Sequence, residues 1–184
     1  MVVATIDKDK ITSDVARAKA AADLVIVSTH WGNEYQTVPT IEQEDLAQYL
    51  ADQGVDIVVG THPHVIQNMA TLTGVNGNKT LVAYSLGNFI SAQKKQACML
   101  GGMMKAEIVY NPDTGKIKVE NGRFIPLVTH YDAGYENVRV IPLADYTQEL
   151  AKKHGIKANY SNFSKIYLQK LLESIVLPEY LSMD

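Results

Sequence analysis

The chain has 184 residues, of which 46% are hydrophobic and 20% are charged. This composition excludes a disordered or collagen-like chain, and at roughly 150 residues per domain the length predicts a single domain over residues 1–184. Seventeen basic and 20 acidic residues give a net charge of −3, which disfavours nucleic acid as a partner. The single cysteine, Cys98, excludes an internal disulfide, and we expect it to be a small buried side chain.

The beginning of the chain has no targeting pattern. Residues 1–10 (MVVATIDKDK) contain a short apolar patch and then charges, which is not the pattern of a secretory signal. No stretch of the sequence approaches the roughly 18 apolar residues of a membrane-spanning helix. We therefore expect any export signal or membrane anchor to lie outside this sequence.

The first elements in chain order are a helix and a strand. Residues 11–22 have helical spacing, with Thr12 or Ser13 as the expected N-cap. Residues 24–29 (LVIVST) form a continuous apolar, β-branched run, which is typical of a strand buried on both faces. The pattern therefore predicts a helix followed by a central strand.

A second helix and two more strands follow. Residues 40–53 predict a helix with Thr40 and Gln43 as a capping box and Gly54 as its end. Its expected apolar face consists of Ile41, Leu46, Tyr49 and Leu50. Residues 55–59 predict a second buried strand, so residues 23–60 should form a parallel, right-handed strand-helix-strand unit. A third strand is predicted over residues 80–86 after the turn at residues 74–78.

The sequence pattern changes after residue 100. Residues 103–110 and 116–128 alternate between apolar and polar side chains and are joined by the turn sequence NPDTG, which predicts an antiparallel hairpin. Residues 135–143 predict a further strand, and residues 144–154 and 161–177 predict helices. The predicted fold class is therefore α/β with an α+β C-terminal part: a parallel strand-helix-strand unit, antiparallel hairpin strands and C-terminal helices.

Three of the five histidines follow predicted parallel strands. His30 follows the first strand, and His62 and His64 follow the second. Because the carboxyl ends of parallel strands meet at one edge of a sheet, these imidazoles can converge on a transition-metal ion. His30 alone could instead be a structural, hydrogen-bonding histidine, and the His-Pro-His sequence alone could be two histidines in a polar loop.

The spacing of His62 and His64 gives a further expectation. In extended backbone, side chains two residues apart share a face, and Pro63 disfavours the helical region for His62. Gly60 permits an unusual backbone angle or a close approach of a ligand at the strand end. The rings of His62 and His64 are therefore expected to face one point.

Glu34 and Asn88 are the predicted catalytic positions. Glu34 could ligate a metal, be a solvated loop carboxylate, or fix the tautomer of a ligand imidazole, and we prefer the last interpretation. Asn88 could be a turn residue or a polar contact to phosphate or to a water. Ser85 lacks the glycine of a G-x-S-x-G nucleophile elbow, which disfavours a serine hydrolase.

Four other residues receive structural interpretations from the sequence. Trp31 and Tyr35 are expected to pack against the wall of the site. His130 and His154 lie in later segments of the chain, away from this edge, and we expect both to be surface residues.

Three sequence blocks carry a family resemblance. VSTHWGNEY at residues 27–35, GVDIVVGTHPHVIQ at residues 54–67 and YSLGNF at residues 84–89 occur in this order. Together they resemble the CapA family of bacterial capsule and poly-γ-glutamate biosynthesis proteins, which belongs to the calcineurin-like metallophosphoesterase superfamily. The resemblance covers about residues 10–142, so residues 143–184 are expected to be a helical tail.

The resemblance implies a metallophosphoesterase-like sandwich of sheets and helices with a binuclear metal site. His30, His62 and His64 would be ligands of manganese, zinc or iron in a hydrolase that acts on an anionic polymer or a phosphoester. Partners would include components of a membrane synthase, and the location would be cell-surface, membrane-associated or extracellular. The alternative is a non-catalytic accessory module that binds or helps to export an anionic capsular polymer.

The acidic motifs of the superfamily precede the His-Trp-Gly block, but only 29 residues precede His30 and none of them forms such a motif. The sequence therefore resembles the C-terminal half of a CapA protein. Two cations about 3.5–4 Å apart need a bridging anionic oxygen, whereas three imidazoles could hold one zinc. A sheet without its N-terminal strands would also expose an edge, which predicts a tendency to form a homodimer, to swap strands or to aggregate.

Overall fold

In the computed structural model, which describes residues 6–181, helices flank two β-sheets. The α-helices are α1 (Lys8–Ala21), α2 (Ile41–Asp52), α3 (Gln148–Lys153) and α4 (Lys165–Ile175). The strands are β1 (Ile26–His30), β2 (Ile57–Thr61), β3 (Met69–Thr73), β4 (Lys79–Ala83), β5 (Leu100–Asn111), β6 (Lys116–Asp132) and β7 (Glu136–Pro142). Short 3-10 helices are Gln96–Met99, Ala133–Tyr135, Gly155–Ala158 and Pro178–Tyr180.

The first sheet has the strand order β1-β2-β4-β3. β1, β2 and β4 are parallel to one another, and β1, α2 and β2 form the predicted strand-helix-strand unit. β3 pairs antiparallel with β4 and was not predicted. Its five residues, MATLT, alternate over too short a length to indicate a strand without its partner.

β1 is an edge strand, so the expectation that it would be buried on both faces is wrong. Among the strands described, β1 pairs only with β2, and its side chains alternate between exposed and half-buried. Ile26 is 55% exposed. Its apolar, β-branched sequence indicates a strand but contains no information about which neighbours cover it.

The helix ends follow capping chemistry. α1 begins after Asp7, whose carboxylate accepts hydrogen bonds from two backbone N–H groups, so the predicted caps Thr12 and Ser13 are wrong. The predicted capping box of α2 is confirmed, with Thr40 and Gln43 bonded reciprocally at 3.0 and 3.3 Å. Ile41, expected on the buried face, is 72% exposed, so that expectation is wrong.

The second sheet has the order β5-β6-β7. The predicted antiparallel hairpin is β5 and β6, and β7 is the further predicted strand, which pairs antiparallel with β6. Asn111 closes the hairpin turn, since its side-chain oxygen accepts from the backbone N–H groups of Asp113 and Thr114. α3 and α4 lie within the two predicted helical segments. No helix in residues 6–181 combines the length and the apolar character needed to cross a membrane.

Two apolar clusters form the core. One lies between α2 and the parallel sheet and includes Trp31, Leu46, Leu50, Val58 and Val82. The other joins β3 and β4 to the antiparallel sheet and the C-terminal helices, and it includes Met69, Leu81, Cys98, Phe124, Leu143 and Leu168. Cys98 is fully buried, as expected. The second cluster connects the two sheets, because it takes side chains from both.

His130 and His154 belong to the interior, so the expectation that they are surface residues is wrong. Their exposed fractions are 0% and 2%. Nε2 of His154 lies 3.0 Å from the carbonyl oxygen of Thr129, and its Nδ1 accepts the backbone N–H of Ile156 at 3.0 Å. Burial lowers the pKa of His154 to about 4, so the ring is neutral.

His130 has two polar partners in the same region. Its Nδ1 lies 2.9 Å from the hydroxyl oxygen of Tyr146, and its Nε2 lies 3.2 Å from a carboxylate oxygen of Asp132. Burial lowers the pKa of His130, although the hydrogen bond to Asp132 acts in the opposite direction. The side-chain partners of His130 and the backbone partners of His154 allow two polar rings to be buried without unpaired nitrogen atoms.

Candidate metal centre

The candidate site lies where the parallel strands end. β1 ends at His30, and the chain leaving β2 continues into His62 and His64. The two strands pair in register, with His30 opposite Thr61. This pairing places the predicted histidines at one edge of the sheet, as the sequence analysis expected.

A close backbone approach supports this edge. A Cβ atom at Gly60 would overlap the carbonyl oxygen of Tyr84 and the indole nitrogen of Trp31. Trp31 is 4% exposed, and its indole N–H donates to the carbonyl of Tyr84 at 2.8 Å. The packing role of Trp31 is therefore confirmed, and the group that approaches Gly60 closely is the protein's own backbone and indole ring.

The backbone of the His-Pro-His segment is not extended, so that expectation is wrong. His62 has φ 102° and His64 has φ 60°, both in the left-handed region that side-chain-bearing residues rarely adopt. The backbone N–H of Tyr35 donates to the carbonyl oxygen of Pro63 at 2.7 Å, which ties this turn to the loop after β1. Such strained conformations persist where surrounding contacts fix them, and they cluster at functional sites.

Three side chains converge on one point. Each of Glu34, His62 and His64 offers a ligand atom, and these atoms all lie within 4.8 Å of one another. Nε2 of His64 is 3.6 Å from Oε1 of Glu34, and the centroids of the two histidine rings are 6.0 Å apart. Glu34 is exposed, whereas both histidines are half-buried. The group therefore opens to solvent on one side.

His30 lies at the border of this group. Its ring centroid is 4.5 Å from that of His62, but it does not belong to the set of ligand atoms within 4.8 Å. Its Nδ1 is 3.5 Å from the hydroxyl of Thr61. The geometry favours Glu34, His62 and His64 as the ligand set, and ligation by His30 stays a prediction.

Asn88 fixes the ring of His64. Nδ1 of His64 lies 3.1 Å from Oδ1 of Asn88, and because an amide oxygen can only accept, Nδ1 carries the hydrogen. The other ring nitrogen, Nε2, faces the carboxylate of Glu34. Nδ2 of Asn88 is buried without a hydrogen-bond partner among the described residues. Asn88 thus contacts the side chain of a candidate ligand, so it is more than a turn residue.

The donor set fits a single divalent ion. Nε2 of His64 and Oε1 of Glu34 lie 3.6 Å apart, and both atoms are of a type that ligates divalent ions. Ligands about 2.1 Å from a tetrahedral ion lie about 3.4 Å apart, close to this separation. Two imidazoles and one carboxylate suit zinc, manganese or iron and leave coordination positions open.

A buried pair of glutamines connects the two loops that carry these ligands. Nε2 of Gln43 donates to Oε1 of Gln67 at 2.8 Å. Nε2 of Gln67 donates to the carbonyl oxygen of Gln36 at 2.9 Å, and Gln67 is fully buried. Sequence reasoning did not identify Gln67 as a supporting residue. The only indication was a glutamine in an apolar run just after the histidine pair.

Ser85 and Tyr35 are two further residues near the candidate metal centre. The hydroxyl of Ser85 donates to the carbonyl oxygen of Val65 at 2.8 Å, which is a structural role and agrees with the absence of a nucleophile elbow. The half-buried ring of Tyr35 lies 6.0 Å from that of His64, centroid to centroid. Desolvation and the charge of Glu34 raise the pKa of Tyr35, so its hydroxyl stays protonated.

A family model described as bacterial capsule synthesis protein PGA_cap matches residues 2–93, half of the chain. The chain belongs to the PGA_cap family. The PGA_cap match contains all five predicted site residues, and it confirms the expected relationship to capsule biosynthesis proteins of the CapA type.

Two PGA_cap relatives come from Bacillus. The chain is similar to the PGA biosynthesis protein CapA of Bacillus subtilis (strain 168), with 43% identity over 79 residues, which are 43% of this chain and 20% of the relative. It is also similar to the capsule biosynthesis protein CapA of Bacillus anthracis, with 40% identity over 93 residues, which are 48% of this chain and 21% of the relative. The matched segments thus span about a fifth of the length of these curated relatives.

Proposed function

We propose that this chain is part of a divalent-metal-dependent, phosphoesterase-like hydrolase that acts in the biosynthesis of a capsular or poly-γ-glutamate polymer. The observation that supports it is the convergence of Glu34, His62 and His64, whose ligand atoms lie within 4.8 Å of one another. The names of the two CapA relatives support the polymer as the biological context. A cell-surface or membrane-associated location, next to components of a polymer synthase, belongs to the same proposal.

The side chains at this centre have different roles. His62 and His64 provide neutral nitrogen ligands, and Glu34 provides the anionic oxygen that offsets part of the charge of the ion. Asn88 holds the ring of His64 so that Nε2 faces the ion. A divalent cation held there would supply Lewis acidity, which polarises a phosphoryl or acyl oxygen and lowers the pKa of a water.

In this proposal the chain binds one ion. Glu34 is the only carboxylate in the converging group among residues 6–181, and it already faces Nε2 of His64. A pair of ions needs further anionic oxygen to bridge them. The ion in question is manganese, zinc or iron, since mixed imidazole and carboxylate ligands suit all three.

Metal content and hydrolysis test the proposal together. The protein is purified without a histidine tag, its metal is quantified, and hydrolysis of p-nitrophenyl phosphate is measured with added manganese or zinc. We expect about one ion per chain and metal-dependent hydrolysis. Both should be lost in the double variant His62→Ala plus His64→Ala. Equal metal content and equal rates in the double variant and the original chain would defeat the assignment.

A matched pair of single substitutions refines this test. Glu34→Gln removes the anionic ligand, whereas Glu44→Gln makes the same change on the exposed side of α2. We expect metal affinity to fall in the first variant only, and by more than the 10- to 100-fold that follows the loss of an outer-shell partner, because Glu34 is a direct ligand.

The second candidate function is a non-catalytic module that binds an anionic polymer beside a membrane synthase. Two lysines, Lys94 and Lys95, favour this second function, because their positive charges would attract an anionic polymer. Both lysines line a cavity that also contains Tyr35, the neighbour of Glu34 in the chain. Stoichiometric metal with hydrolysis supports the first function. Polymer binding without metal or hydrolysis supports the second.

A further inference from the structure

The antiparallel sheet has a long exposed edge formed by β5. This strand has 12 residues and contains no proline, and among the strands that the structure describes it pairs only with β6. The β-bulge in this pairing lies between Lys105 and Glu107, and the extra residue belongs to β6, so β5 itself continues without a break. A long, regular edge strand without proline is a template for pairing with another strand.

The backbone groups on this edge can be assigned from Gly102. Gly102 lies opposite Pro126, which has no N–H group, and its own N–H donates away from β6 to the carbonyl oxygen of Leu86 at 2.8 Å. Because the direction of these groups alternates along a strand, every second residue after Gly102 also directs its N–H and C=O away from β6. Ala106, at the centre of residues 103–109, is one of them. Within residues 6–181 its outward groups have no backbone partner.

Two charged side chains on β5 lie opposite like charges within the chain. Lys105 pairs with Arg123 of β6, and Glu107 pairs with Glu120. Like charges directly opposite each other destabilise a strand pair. In the described part of the chain neither Lys105 nor Glu107 forms a salt bridge, although Glu107 accepts a hydrogen bond from the side chain of Asn121 at 2.7 Å. Both charges are exposed and therefore lack an ionic partner.

Exposed apolar side chains flank these two charges on the same face of β5. Met103 is 43% exposed and Val109 is 42% exposed. Since residues two apart share a face of a strand, the face reads Met103, Lys105, Glu107, Val109. This order is apolar, basic, acidic, apolar. A strand with this order is complementary to a copy of itself that runs in the opposite direction.

We infer that β5 is a docking surface for a second copy of this chain, paired antiparallel about a two-fold axis at Ala106. In this register Lys105 lies opposite Glu107 of the second copy, and by symmetry Glu107 lies opposite its Lys105. Met103 lies opposite Val109 of the second copy. The outward N–H and C=O of Ala106 are the groups that such an axis requires, because two residues on the axis exchange both hydrogen bonds.

The other edge of the same sheet does not have this complementarity. β7 has Arg139 at its centre and Pro142 at its end. A two-fold axis at Arg139 would place two guanidinium groups together, and proline cannot donate to a strand pair. The contact proposed for β5 also differs from pairing along β1, which belongs to the parallel sheet. It uses no residue of the candidate metal centre, so it stands or falls independently of the proposed function.

A charge-reversal experiment tests this contact in the full chain. Sedimentation equilibrium is measured over a wide range of protein concentrations, for the original chain and for chains carrying Ile26→Lys, which places a charge on the β1 edge. We expect a concentration-dependent dimer in both, because residues 103–109 form a small interface. In the Ile26→Lys background, Lys105→Glu and Glu107→Lys should each weaken the dimer about tenfold, since both symmetry-related pairs become repulsive.

Mixing the two variants provides the decisive comparison. One variant then has two acidic residues at positions 105 and 107 and the other has two basic residues, so an equimolar mixture should form a heterodimer as tight as the original dimer. The double variant Lys105→Glu plus Glu107→Lys should also dimerise again. The matched control, Lys152→Glu, reverses an exposed charge on α3 and should leave the dimer unchanged. Circular dichroism confirms that each variant is folded.

Three results would overturn the inference. The first is a chain that stays monomeric at every concentration. The second is a dimer that Lys105→Glu does not weaken, since its interface would then lie elsewhere. The third is a mixture of the two single variants that dimerises no better than either variant alone, because the register about Ala106 requires the opposite charges to attract.

Discussion

Nδ1 of His64 lies 3.1 Å from the side-chain oxygen of Asn88, although the two residues are 24 positions apart in the chain. His64 follows β2, and Asn88 follows β4, the strand that pairs with β2. The contact therefore depends on the pairing of two parallel strands. It links the orientation of a candidate metal ligand to the integrity of the sheet.

Replacing Asn88 should loosen the ring of His64. In Asn88→Ala the Nδ1–H group loses its acceptor, so the ring no longer holds Nε2 toward Glu34, and metal affinity should fall about 10- to 100-fold. A titration with zinc or manganese measures this affinity. Asn162→Ala, at an exposed position, is the control. Unchanged affinity in Asn88→Ala would show that the contact does not orient the ligand.

The buried glutamine pair should support both stability and metal binding. Gln43→Leu leaves the backbone N–H of Thr40 and the side-chain oxygen Oε1 of Gln67 without these partners, which should cost about 1–3 kcal/mol of unfolding free energy. Metal affinity should fall as well, because the loop that carries Glu34 loses an anchor. Urea unfolding and metal titration measure the two effects. Gln48→Leu, at an exposed position on the same helix, should change neither by a comparable amount.

Gly60 should not tolerate a side chain. In Gly60→Ala the new methyl group would meet the backbone carbonyl of Tyr84, which cannot rotate away, and we expect a loss of about 1–3 kcal/mol in urea unfolding. Gly77→Ala is the comparison, since a Cβ there meets nothing within 4 Å and costs only the left-handed strain of about 1 kcal/mol. A loss at Gly60 no larger than that at Gly77 would contradict the packing argument.

Stability should decrease in acid because of His154. Its pKa is about 4 in the folded protein against an ordinary 6.5, so between these values the unfolded chain binds more protons. Unfolding free energy should therefore fall as pH decreases from 6.5 towards 4, by at most about 1.4 kcal/mol per pH unit for this one group. His130, whose pKa burial also lowers, acts in the same direction.

Two measurements check this prediction. Urea unfolding of His154→Gln at pH 7, 6 and 5 should show a smaller pH dependence than the original chain, even though the variant is less stable overall. An NMR titration of the original chain should show the His154 ring still neutral at pH 5. Equal pH dependence in both proteins, or a ring that titrates at its ordinary value, would refute the assignment.

The exposed edge of the parallel sheet should favour self-association. β1 has one neighbour among the described strands, and Ile26 on it is 55% exposed, so a second copy of the chain could pair along this edge. Ile26→Lys should shift the population toward monomer in light scattering. Ile41→Lys, which adds the same charge at an exposed site on α2, should not. A monodisperse monomer of the original chain would count against the edge as a dimer interface.

Local chemistry made much of the fold predictable. The capping box of Thr40 and Gln43 and the turn at residues 111–115 depend on a few neighbouring residues, so the sequence contains the whole cause. The approach of His62 and His64 at a strand end was also accessible, because parallel strands place their carboxyl ends together. The third member of the group was not, since the sequence favoured His30 as a ligand and Glu34 as a residue that fixes an imidazole tautomer.

Long-range contacts account for the errors. The burial of His130 depends on Tyr146, 16 residues away, and that of His154 on Thr129, 25 residues away. No local pattern indicates either partner. The exposure of Ile26 likewise depends on what lies beside β1, and its residue type does not determine it. The left-handed backbone at His62 results from contacts between two loops, which a single segment does not contain.

The chain contains one tryptophan, Trp31, and it lies in the parallel sheet against Tyr84. The antiparallel sheet and the C-terminal helices contain tyrosines but no tryptophan. Indole fluorescence therefore reports the environment of the strand ends alone, and far-ultraviolet dichroism reports the whole chain. If the two optical probes change at different denaturant concentrations, the edge that carries the histidines melts as a separate cooperative unit.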